Sequence, residues 1–144
     1  MKKGFIVIAL FCLISLLVIL YNYNNLNSKQ KEIISFNNKY LEFNKDEVKG
    51  LDITTVMNRA INDNEKNNIQ RNENEEVIEN EENSIKIFLK MKIDGKTYSM
   101  ESFEKRGMDE FAQYFGGVVF KCIDVTYHKN SGRIATMTFE ALQE

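Results

Sequence analysis

The sequence has no proline, no tryptophan, one histidine and two cysteines. Cys12 and Cys122 lie in regions of opposite character, which excludes an intrachain disulfide framework. Catalytic signatures are missing as well: the chain holds no Gly-x-Ser-x-Gly elbow, no Cys-x-x-Cys pair and no His-Glu-x-x-His motif. The one pair to test is Cys122 with His128. Their even spacing puts them on one face of a strand, but about 20 Å apart at ~3.3 Å per residue, against the ~2.6–3.2 Å a catalytic pair needs. Cys122 therefore reads as a small buried hydrophobe and His128 as a strand-end residue beside a turn. An excess of positive charge is also absent. With 19 Lys and Arg against 21 Asp and Glu, the net charge is -2, so no electrostatic footprint for nucleic acid exists. The lack of Pro and Trp, beside abundant Asn, Lys, Ile and Glu, matches an AT-rich coding bias and carries no functional reading. No catalytic, cofactor-binding or metal-ligating residue is assigned, and no cofactor is expected.

What the chain does have is an uninterrupted apolar run, FIVIALFCLISLLVIL, over residues 5–20, with Ser15 its only polar side chain. In lipid every backbone polar group must be satisfied within its own segment, so such a run just after Lys2 and Lys3 predicts a membrane helix. Its sixteen residues span about 24 Å as a helix. That length lies between a secretory signal and a full span. The exit decides: Tyr21 and Tyr23 suit the headgroup level, and no small-x-small site invites signal peptidase. A retained anchor follows, over residues 5–21, with a basic leader, 1–4, in the cytoplasm and the remainder outside. Lipid attachment at Cys12 is disfavoured by the bulky Phe11 before it.

The opening Lys2-Lys3-Gly4-Phe5, followed by aliphatic residues, resembles the leader and mature start of a type IV prepilin or pseudopilin. The resemblance implies cleavage between Gly4 and Phe5 and assembly through the N-terminal helix. It departs from the family at Ala9, where those proteins usually carry a glutamate five residues into the mature chain. The segment GLDITTVMNRAINDNEKN, with the later FKC, YH and SGR pieces, resembles small, uncharacterised, membrane-anchored proteins of Gram-positive anaerobes. That likeness implies a single exported domain and no chemistry.

Beyond the anchor, residues 28–44 place Ile33, Phe36, Tyr40 and Phe43 at helical spacing, which predicts a stalk and packing helix over 22–50. A second helix is expected over 54–64, capped by Asp52, with Ile53, Val56, Met57, Ala60 and Ile61 on one face. Residues 62–84 turn acidic and Asn-rich and read as a solvated loop. A calcium site there would need an ordered Asp-x-Asp-x-Asp-Gly frame, which DNEKNNIQRNE lacks. Ile85, Ile87, Leu89, Met91 and Ile93 alternate with polar or exposed positions, giving a strand that turns at Asp94-Gly95 and returns over 96–100. A short helix over 108–115 buries Met108, Phe111 and Phe115. Residues 118–128 and 133–142 form a second hairpin, with Ile123, Val125 and Tyr127 facing Ala135, Met137 and Phe139. Glu101, Glu104, Asp109 and Glu110 are scattered and expected in solvent.

The reading is an α+β protein: a transmembrane helix continuing as a stalk, a second helix, then an antiparallel sheet of two hairpins with a short helix between them, in one domain over 51–144. The expected function is a single-pass, extracytoplasmic, non-catalytic domain acting by protein interaction. Its partners are the bilayer and either sister or identical subunits in a pilin-like assembly; the alternative is a tethered cell-surface binding module.

Overall fold

The computed structural model describes the backbone of residues 2–142 and the side chains of residues 11–142. It divides into two compact units, Met1–Ser35 and Phe36–Glu144. The described residues of the first unit are helical. Its helix, α1 (Lys2–Leu41), continues into the second unit, and the asparagines of 22–27 do not break it.

In the second unit the apolar stripe of α1 enters the core. Phe36 is buried and Tyr40 fully so, its ring 5.1 Å from that of Phe36; the helix ends at Leu41 rather than running to residue 50, and Phe43 is buried from the turn beyond it. After a turn come β1 (Val48–Lys49) and α2 (Gly50–Lys66), longer than expected at both ends. Ile53, Val56, Met57, Ala60 and Ile61 all face the core, as their spacing predicts. Asp52 is not the cap. The helix starts two residues earlier, and its free N–H groups are met by tertiary carbonyls instead: Gly50 donates to Val118 O at 2.8 Å and Leu51 to Gly116 O at 3.3 Å.

The remaining elements are β2 (Lys86–Lys90), β3 (Thr97–Ser99), α3 (Met100–Glu104), α4 (Met108–Phe115), β4 (Val119–Tyr127) and β5 (Ile134–Ala141). Gly107, at φ 105°, separates α3 from α4, a conformation closed to other residues without strain. Both expected hairpins form, β2 with β3 and β4 with β5. The sheet they build is mixed rather than antiparallel, in the order β1-β4-β5-β2-β3. The hairpins join through a parallel pair, β2 with β5, which sets Ile87 beside Met137 and Leu89 beside Phe139. The α3–α4 connection between the hairpins makes this possible, because it brings β5 back alongside β2 in the same direction while aligning their buried positions.

Two expected faces are corrected. Ile93 is 83 % exposed, because β2 ends at Lys90 and the reversal begins at Met91, whose N–H donates to Lys96 O. On β4 an extra residue enters the ladder between Cys122, opposite Phe139, and Asp124, opposite Thr138. That bulge shifts the alternation, leaving Ile123 exposed and turning Val125 to the core; Tyr127, past a second irregularity where it pairs with Ile134, is exposed at the end of the ladder.

Candidate interaction surface

The described part of the apolar run forms a helix with no polar face. Phe11, Leu13, Ile14, Leu16, Leu17, Val18, Ile19 and Leu20 are each between 53 and 74 % exposed. At 100° per residue they occupy every side of the helix, so no rotation against one neighbour could bury them together. Ser15 does not interrupt the pattern, since its hydroxyl donates to the carbonyl of Cys12 at 2.8 Å. Tyr21 and Tyr23 follow, also exposed. Among the described residues no helix is long and apolar enough to cross a membrane. Residues 5–10, the first part of the expected anchor, lie outside the described side chains.

The second unit carries a different surface, built largely by asparagine. The acidic loop after α2 is ordered by its own side chains. Asn72 Oδ1 accepts the N–H groups of Asn74 and Glu76 at 2.9 Å, and Asn80 Oδ1 accepts those of Glu82, Asn83 and Ser84 at 2.8 to 3.1 Å. These are Asx turns, in which a short amide replaces a missing backbone partner. Side chains from elsewhere in the domain then tie the loop down. Asn64, on α2, donates to Ile85 O at 2.7 Å and accepts from Ile85 N–H at 2.9 Å. His128 Nε2 meets Ser84 O at 2.6 Å, which assigns its proton to that nitrogen because a carbonyl can only accept. Asn130 donates to Glu81 at 3.0 Å across from the hairpin turn. The same turn is gripped by Asn37, which donates to Gly132 O and accepts from Ile134 N–H, both at 2.9 Å.

The acidic residues near α3 are not solvated as expected. Glu101 is 1 % exposed; its Oε1 accepts from Val77 N–H at 3.1 Å, while Oε2 is buried with no hydrogen bond. Glu104 receives both arms of Arg71, at 2.8 and 3.0 Å, and that bond holds the guanidinium pKa above its usual value. Together they clamp the acidic loop onto α3. Asp109 and Glu110 are exposed. Cys122 is buried, and burial pushes its thiol pKa up, away from the thiolate that nucleophilic chemistry needs. His128, its one sequence candidate for a partner, is spent on Ser84. Among the described residues no cluster of His, Cys, Asp and Glu could hold a metal ion. A groove of 310 Å³ passes Glu42, Lys45, Glu47, Asp52 and Arg59, and one of 560 Å³ passes Lys39, Asn58, Asn62 and Lys66. Both mix charges of both signs, Arg59 lining each and already bonded to Glu42, which selects no particular ligand.

Three surface carboxylates, Asp46 and Asp94 exposed and Glu140 half-buried, have depressed pKa values. Asp46 is held down by its hydrogen bond from Lys121, Glu140 by that from Lys90, and Asp94 by that from Tyr98. A carboxylate with a lower pKa in the fold than in the unfolded chain adds stability above its unfolded pKa and loses it as pH falls through the folded one. Thermal melts are thus expected to weaken modestly below about pH 4. The double variant Asp46→Asn, Glu140→Gln should flatten that dependence; an unchanged acid slope would exclude these pairs as its source.

Compared with protein-family models, curated proteins and solved structures, the chain matches none.

Proposed function

We propose that this chain is a single-pass membrane protein, N-terminus in the cytoplasm, whose extracytoplasmic α+β domain is non-catalytic and acts by protein–protein interaction. The observation that carries the reading is the exposed apolar helix. Leaving such side chains in water costs about 1.5–3 kcal/mol each relative to burial, and eight of them within residues 11–20, on all sides of one helix, call for a surrounding apolar medium rather than a single partner face. Lys2 and Lys3 before the run, with no further charge until Lys29, set the direction of insertion. The fixed, Asn-stapled surface of the second unit is what such a tether would present.

The sharper form of the proposal is a pilin-like subunit, in which the apolar helices of several copies or sister subunits bundle together. The Gly4-Phe5 junction supports it. Ala9 supports the alternative, a tethered binding module, since a glutamate at that depth is expensive in lipid unless an assembly uses it. Intact-mass and N-terminal analysis of protein purified from its own membranes separates these. A chain starting at Phe5 establishes prepilin-type processing, and one starting at Met1 a plain signal anchor. A start after Tyr21 would overturn the membrane reading altogether.

A further inference from the structure

The outer edge of β4 is only half covered. β1 pairs with Val119 and Phe120 alone, and the last cover is Lys45 O, which accepts the Cys122 N–H at 3.0 Å. Beyond the bulge the strand runs on to Tyr127 with β5 on one side only. His128 N–H turns inward to Arg133 O. By alternation the N–H and C=O of Asp124 and Thr126 also point to β5, while those of Val125 and Tyr127 point out. Among the described residues nothing outside the β4–β5 ladder bonds to these outward groups. Asp124 and the bulge at Ile123 guard this stretch, but residues 123–127 contain no lysine, arginine or proline, the commoner blocks to an open edge. Instead the edge shows Ile123, 44 % exposed, and Tyr127, 49 % exposed.

We propose that this edge pairs with the same edge of a second copy of the chain, antiparallel and about a two-fold axis through Thr126, joining the two sheets into one. In that register Val125 of each copy exchanges both backbone hydrogen bonds with Tyr127 of the other, so every outward donor and acceptor is used. The side chains agree with the backbone. Val125 comes opposite Tyr127 in both halves, a β-branched and aromatic pair of the kind that stabilises strand pairing. No like charges oppose each other, because Asp124 meets His128 and Lys129 meets Ile123. Lys121 lies outside the pairing and is already bonded to Asp46 at 2.8 Å. An unrelated extended peptide could use the same donors, but only self-pairing brings Val125 and Tyr127 together twice.

The proposal does not rest on the bilayer reading and is tested on the full chain in detergent micelles, in a Cys12→Ala background. Thr126→Cys would lie on the axis in a non-hydrogen-bonded pair, where Cα atoms are about 4.5 Å apart, within disulfide reach. Oxidation is expected to convert it to a covalent dimer, while Ile93→Cys, exposed on a distant turn, stays monomeric. Adding Val125→Pro removes only an outward donor and keeps the β4–β5 ladder, and should cut the cross-linked fraction about tenfold. Tyr127→Lys should do the same by blocking the edge with charge, and answers the question if the proline variant fails to fold. Cross-linking of Thr126→Cys no faster than Ile93→Cys, or its survival in Tyr127→Lys, would overturn the proposal.

Discussion

Gly50→Ala is expected to destabilise the second unit by at least about 3 kcal/mol, the upper part of the usual range for forcing atoms into a packed interior. A Cβ at Gly50 would stand 1.7 Å from the carbonyl oxygen of Phe115 and 2.6 Å from its carbon. The obstacle is backbone at the end of α4, so no rotamer change relieves it. Moving α4 away would in turn break the bonds from Gly50 N–H to Val118 O and from Leu51 N–H to Gly116 O. These are the bonds that replace a side-chain cap on α2. The glycine is thus required by close approach rather than by φ, and the contact holds together the start of α2, the end of α4 and the edge strand β1. A thermal melt should show a fall of about 12 °C or more. A melt within two or three degrees of the parent would mean that α2 and α4 are not in this contact.

Asn64→Leu has the second large effect. Asn64 is 2 % exposed and its amide serves both backbone groups of Ile85, which itself is fully buried. Leucine fills the space and strands an N–H and a C=O, each costing about 1–3 kcal/mol when buried without a partner. The expected loss is about 2–6 kcal/mol, read by denaturant unfolding. Asn64→Asp gives a finer test. Its carboxylate can accept from Ile85 N–H but faces Ile85 O with no donor, so the loss relative to the parent should be larger at neutral pH than in acid, where a protonated carboxyl can donate again. An Asp variant as stable as the parent at neutral pH would contradict the assigned amide orientation.

These two residues mark what the sequence made legible and what it did not. The helical stripes of α2 and of Phe36, Tyr40 and Phe43 were readable because burial imposes a period on the residue types themselves. So was the alternation Ile85, Ile87, Leu89, Met91, and so was α4, down to its ends. What failed has no periodic imprint. β1 is two residues long and α3 five, and both exist because neighbouring elements complete them. The parallel pairing of β2 with β5 depends on how the α3–α4 connection travels, which local sequence does not encode. One inserted residue at Ile123 reverses the faces of β4, and a strict period of two cannot announce it. Asparagine was the least legible of all. As composition it looked like coding bias, yet Asn37, Asn64, Asn72 and Asn80 each replace specific backbone partners. Glu101 likewise resembles its exposed neighbours until the loop carrying Val77 closes over it.

The central claim is that the apolar helix lies in a bilayer and the sheet domain outside it. Labelling of intact cells with a membrane-impermeant maleimide tests this most directly. Two forms of the full chain are compared, one with native Cys12 and one carrying Ile93→Cys in a Cys12→Ala background. The account predicts that Ile93→Cys is labelled from outside with the cells intact, whereas Cys12 stays unlabelled until detergent dissolves the membrane. Labelling of Ile93→Cys only after lysis, or recovery of the chain in the soluble fraction, would contradict it.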